Sequence, residues 1–61
     1  MKTGDKVKIV KSCLPFYEDG DTAVLERCDE DGDWWATMAS GFNQSYEMCI
    51  GVAGEHFVVL D

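Results

Sequence analysis

Residues 20–38 read GDTAVLERCDEDGDWWATM. Two runs rich in β-branched and aromatic side chains, Thr22–Cys28 and Trp34–Met38, flank the acidic segment Asp29–Asp33. Such side chains suit a pleated, half-buried surface. Asp31-Gly32 between them is a strong hairpin signal, because both residue types tolerate the positive φ of a type I′ turn. The stretch predicts two antiparallel strands joined by an acidic tip.

Working outward, Asp5–Lys11 alternates Lys6 and Lys8 with Val7 and Ile9, the period of a half-buried strand. Gly4 precedes it as a breaker. Ser12–Gly20 contains Pro15, whose missing N–H argues against a central strand, so this segment is expected to be an ordered loop pinned by Leu14, Phe16 and Tyr17. Beyond Met38, Ala39-Ser-Gly41 breaks the pattern. Tyr46–Ile50 and Phe57–Leu60 then supply a fourth and a fifth strand. No segment keeps a helical period. Short strands at roughly ten-residue spacing indicate a small barrel or sandwich. At 61 residues closure into a barrel is favoured, because it removes exposed edges. The expectation is one domain, residues 1–61, folded as an all-β, five-stranded barrel with Val7, Ile9, Val24, Val58 and Leu60 in its core.

The residues also carry a resemblance. GDTAVLERCDEDGDWWATM resembles the central hairpin of SH3 domains, where a Gly-Asp pair opens a strand, an acidic turn follows, and a Trp-Trp pair starts the next strand. The opening GDKVKIV and the closing GEHFVVL are similar to SH3-like barrels of the KOW type and to the small photosystem I subunit. Small phage and bacterial proteins share this pattern. The resemblance implies an SH3-like barrel. It also implies that Trp34 matches the ligand-contacting Trp of peptide-binding SH3 domains, with acids near two loops that hold basic ligand residues there. The Ala-Leu-Tyr-Asp-Tyr and Pro-Ser-Asn-Tyr motifs of those domains are missing, so proline-rich recognition is not implied. The basic loops with which KOW domains grip RNA are missing too.

Charge narrows the function classes. Lys2, Lys6, Lys8 and Lys11 against Asp5 give residues 1–11 a charge of +3, while Arg27 against eleven acids gives the remainder −10, for a net −7. Phosphate neutralisation supplies most non-specific affinity for nucleic acid, so direct nucleic-acid binding is disfavoured. An anionic membrane surface is disfavoured on the same ground. A basic protein or peptide is the expected partner, since opposite potentials steer encounter. The first ten residues do not read as a signal peptide, and a cytoplasmic protein is expected.

Catalysis is not expected. His56 stands alone, and no Cys or Ser has a recognisable base motif nearby. Cys13, Cys28 and Cys49 are odd in number and widely spaced, unlike a disulfide framework or a paired zinc site, and read as small half-buried hydrophobes. The Asp-x-Asp spacings at 29–33 fail the calcium-loop pattern, because Gly32 and Ser40 fall where it requires other residues. No cofactor or metal is expected.

Glu18-Asp-Gly-Asp21 recurs as Glu30-Asp-Gly-Asp33, placing one acidic turn at each end of the second strand. The expected binding surface therefore combines Glu18, Asp19, Asp31, Asp33 and Trp34. Trp34 and Trp35 are open to two readings, core or interface. The leading expectation is a non-catalytic protein-binding module, or an accessory subunit, that meets a basic partner. The alternative is an acidic mimic of nucleic acid that blocks a DNA- or RNA-binding protein.

Overall fold

The structure, a computed structural model, describes residues 1–60. Five strands form, β1 (Lys6–Ile9), β2 (Thr22–Cys28), β3 (Trp34–Met38), β4 (Glu47–Gly51) and β5 (Phe57–Val59). All are antiparallel and lie in one sheet of order β4-β3-β2-β1-β5. The bounds of β2 and β3 are those expected. β1 is shorter than Asp5–Lys11, β4 runs one residue later than Tyr46–Ile50, and β5 ends before Leu60. Among the described residues no helix is long and apolar enough to cross a membrane.

The structure shows the all-β, five-stranded part of the expectation in one sheet that is not closed: β4 and β5 are its edges, and among the described residues no ladder joins them. A side chain reaches one of these edges. The loop from Ser12 to Asp21 sends Tyr17 into the core at 3% exposure, and the Tyr17 hydroxyl donates to the Cys49 carbonyl on edge strand β4 at 2.8 Å. Leu14 packs against the same core, but Phe16, expected to pin the loop, faces solvent.

The core gathers Val7, Ile9, Ala23, Leu25, Ala36, Met38, Ile50 and Phe57 around Tyr17, so every strand contributes. Val24, Val58 and Leu60 were expected there and are not: Val24 is half-buried, and Val58 and Leu60 are exposed. The register gives the reason. Directly paired residues share a face, and Val7 lies opposite Ala23 while Ile9 lies opposite Phe57. Once Val7 and Ile9 point inward, Ala23, Leu25 and Phe57 must follow, and Val24 and Val58 turn outward with the lysines.

The acidic hairpin also differs from the type I′ expectation. Gly32 has φ +86°, but Asp31 does not share a positive φ. Gly32 N–H donates to the Asp29 carbonyl at 3.1 Å and Asp29 N–H to the Asp33 carbonyl at 2.8 Å. This is a type I turn closed by a left-handed glycine. The echoed segment behaves differently. Asp21 N–H donates to the Glu18 carbonyl at 3.1 Å, and Gly20 sits at the third position with φ +96°, a type II turn. One tetrapeptide thus serves two turns in different phase.

Leu25→Ala and Phe57→Ala should each cost about 3 kcal/mol or more, while Val58→Ala should stay within about 1 kcal/mol. Urea unfolding of the three variants measures this. Equal losses at Leu25 and Val58 would contradict the inward face.

Candidate functional site

The acidic hairpin tip is organised by one carboxylate. Asp29 Oδ1 accepts the backbone N–H groups of Asp31 and Asp33, both at 3.0 Å, and Asp29 Oδ2 accepts the Trp35 indole N–H at 3.1 Å. A carboxylate with several N–H donors favours its ionised form. The indole N–H is the main cause that holds the Asp29 carboxyl below the usual range, with the Asp33 and Asp31 amides and the Arg27 charge acting in the same direction. Burial opposes them.

The Trp35 ring has a second partner. Arg27, its direct neighbour across β2 and β3, places its guanidinium 4.7 Å from the ring centroid. Arg27 Nε also lies 3.8 Å from Glu47 Oε2. Bulges between Leu25 and Arg27 and between Trp34 and Trp35 shift the register here, which is how both adjacent tryptophans come to be half-buried. Trp34 packs against the core from its place opposite Gly51.

The expected site residues are therefore distributed as follows. Asp31 is exposed and Asp33 half-exposed on the tip that Asp29 fixes, directly before Trp34. Glu18 and Asp19 are exposed on the other turn, at the far end of β2. Seven extended residues span about 20 Å. Asp19 Oδ1 is committed to the Ser12 N–H at 2.7 Å, and Glu18 N–H donates to Asp21 Oδ2 at 3.0 Å. Among the described residues no hydrogen bond or ion pair joins the two acidic turns.

Tyr17, not Glu18 or Asp19, links the long loop to the hairpin end. Its hydroxyl reaches Cys49, the register partner of Trp35, and also lies 3.2 Å from the Cys13 sulfur. Burial is the main cause that raises the Tyr17 phenol well above its ordinary value, and the Cys13 contact adds to it. Burial likewise pushes the Cys49 thiol up, with the Asp33 and Asp29 carboxylates reinforcing the shift. A raised thiol is a weak nucleophile. The half-buried expectation holds for Cys49 alone, since Cys13 and Cys28 are exposed.

Asp29 and Arg27 are the residues that sequence reasoning missed, while Tyr17 pins the loop as expected and Trp35, open to a core or an interface reading, is half-buried between Asp29 and Arg27. A signal existed for one of them: Asp followed by backbone donors two residues on is an Asx-turn pattern. No pocket opens among the described residues, and no group of His, Cys, Asp and Glu there is arranged to hold a metal ion. No protein-family model, curated protein or solved structure matches the chain.

Two predictions come from this geometry. Tyr17→Phe removes one hydroxyl and leaves the Cys49 carbonyl without its donor, at an expected cost of about 1–2 kcal/mol, read as a lower melting temperature of several degrees. An unchanged melting temperature would mean that the hydroxyl does not hold the loop. Asp29, with its depressed folded-state pKa, contributes stability that is complete above the ordinary carboxylate range and is lost as acid protonates the folded form. Asp29→Ala should lower stability at neutral pH and flatten the acid limb of the curve. A parallel, unflattened limb would assign the acid sensitivity to other carboxylates.

Proposed function

We propose that this chain is a non-catalytic cytoplasmic binding module of SH3-like type, and that it meets a basic protein through the hairpin tip bearing Asp31, Asp33 and Trp34. The observation that carries the reading is the ordered tip: Asp29 fixes the backbone at Asp31 and Asp33, so the backbone that carries two carboxylates is held next to a half-buried tryptophan. Preorganised charges bind without further ordering cost. The tip sits in a chain of net charge −7, whose field draws cationic surfaces toward it. Trp is a frequent interface anchor, and Trp34 has no cation stacked on it among the described residues, whereas Trp35 already holds Arg27. The five antiparallel strands in one sheet support the all-β part of this reading. Glu18 and Asp19 act in this reading by long-range steering and not by contact.

The test is capture of the partner on the immobilised protein, followed by charge reversal. Asp31→Lys combined with Asp33→Lys should weaken binding about tenfold or more, corresponding to about 1.4 kcal/mol, and added salt should slow association. Glu55→Lys, on the connection to β5, should change affinity much less. Equal effects at both places would reduce the reading to a diffuse field. No effect of the paired reversal with the fold intact would place the partner elsewhere. A captured enzyme of nucleic-acid metabolism that DNA or RNA displaces would favour the mimic.

A further inference from the structure

The connection from β4 to β5 is held by the chain's single histidine. Val52 N–H donates to His56 Nδ1 at 2.9 Å. The imidazole is largely enclosed, with its side chain 16% exposed. His56 N–H donates in return to the Val52 carbonyl at 3.0 Å, and Gly54 N–H donates to the Phe57 carbonyl at 2.9 Å. Residues 52–57 thus close on themselves, and one of the closing bonds ends on a titratable ring.

The ring is fitted closely to its neighbours. Gly51 has φ +89°, and a Cβ there would come within 2.5 Å of Nδ1 and 2.8 Å of Cγ. The imidazole therefore lies against bare backbone at the end of β4, beside the register partner of Trp34. From the other side, the His56 carbonyl accepts Val10 N–H at 2.8 Å and Lys11 N–H at 3.0 Å. His56 thus adjoins the ends of β1, β4 and β5 at once.

The bond to Val52 also fixes the protonation state. A ring nitrogen that accepts must keep its lone pair, so the neutral ring carries its proton on Nε2. Glu55 Oε2 lies 3.2 Å from that nitrogen. Glu55 is the charged side chain that faces the ring from the connection. β4 presents uncharged Gly51, and the segment after β1 presents the backbone N–H of Lys11 to the His56 carbonyl. Among the described residues no other charged group lies within ion-pair distance of the imidazole. Glu55 is 66% exposed, so its attraction for an imidazolium is screened by solvent. A proton on Nδ1 would set one N–H against the Val52 N–H, and the ring can take that proton only by leaving the closed turn.

We infer that His56 is an acid-released latch: its neutral imidazole holds residues 52–56 closed, and protonation frees them from the corner of the sheet that carries Gly51 and Trp34. The open form binds one more proton than the closed form, so acid favours opening. Imidazoles ordinarily titrate near ~6.5 and carboxylates near ~4, so the interval between them reports the histidine. Each pH unit below the imidazole value should raise the open fraction by about tenfold. The inference stands apart from the proposed function, since no partner enters it.

The experiment follows the isotopically labelled full chain by nuclear magnetic resonance from about pH 7 to about pH 5. At the neutral end the imidazole should show the Nε2–H tautomer, and a coupling across the hydrogen bond should join the Val52 amide nitrogen to Nδ1. Toward acid that coupling should fade. Hydrogen exchange of the Val52 amide, corrected for its intrinsic pH dependence, should show opening that rises about tenfold per pH unit. His56→Asn keeps an acceptor at the δ position and cannot titrate, so it should protect Val52 without the pH dependence. The Nδ1–H tautomer at neutral pH, a coupling that persists unchanged into acid, or the same slope in His56→Asn would overturn the inference. Leu25 opening as readily as Val52 would overturn it too, in favour of global acid unfolding. If His56→Asn does not fold, the tautomer, the coupling and the slope of the unaltered chain decide.

Discussion

The hydrogen bond from the Tyr17 hydroxyl to the Cys49 carbonyl is the constraint on which most of the remaining structure depends. A five-stranded open sheet of this size has two unsatisfied edges and a thin core. Tyr17 addresses both at one point. Its ring fills the core beside side chains from all five strands, and its oxygen takes up a carbonyl on the edge strand β4. A long loop that would otherwise carry only entropy cost is thereby tied to the far side of the sheet. The turn at its end is fixed separately, by Gly20 N–H donating to the Ile9 carbonyl at 2.7 Å and by Asp19 accepting from Ser12. The acidic residues of that loop follow from its closure as much as from any partner.

The hairpin end shows the same economy with charge. Asp29 spends its two oxygens on the turn and on Trp35, and the chain's single arginine stacks on the same indole. Cation and anion are both used internally, around a tryptophan that is thereby removed from consideration as a free anchor. Asp31 and Asp33 donate their amides inward and leave their carboxylates to solvent. A hairpin tip ordered this way can be strongly negative and still rigid, because the carboxylate that stabilises it is not one of those it presents.

What the sequence made legible was local. The residue types of Thr22–Cys28 and Trp34–Met38 and the turn between them sufficed for two strands at their observed bounds. The alternation around Val7 and Ile9 gave an inward face correctly. The face of β2 was not legible, because Ala23, Val24 and Leu25 are consecutive apolar residues and either phase buries a plausible set. Cross-strand pairing chose, setting small Ala23 opposite Val7. The last strand posed the same ambiguity, where Phe57 won over Val58. The candidate site divided along similar lines. Asp31, Asp33 and Trp34 were readable as neighbours in sequence. The turns at the two ends of β2 and a role for Tyr17 in the loop were readable too, but the reach of the Tyr17 hydroxyl to Cys49, 32 residues on, and the stacking of Arg27 on Trp35 depend on pairings that no local pattern encodes.

The charge asymmetry of the sequence acquires a direction once the sheet is in place. Lys6 and Lys8 are exposed on β1, which lies between β2 and β5, and they share the outward phase with half-buried Val24 and exposed Val58. Seven of the acids instead occupy the turns that bound β2, at Glu18, Asp19, Asp21, Asp29, Glu30, Asp31 and Asp33, while Glu26 and Glu47 stand exposed on β2 and β4. The molecule therefore has two exposed lysines on β1 and negative turns at the two ends of its second strand. A field of this form does more than attract a cation: it orients the approaching surface, turning the loops toward it and the lysines away. Steering of this kind acts before any contact forms, so it needs the carboxylates to be exposed and fixed but not clustered. That requirement reconciles two acidic turns standing about 20 Å apart with a single basic partner, since one turn can be bound while the other contributes only to the field.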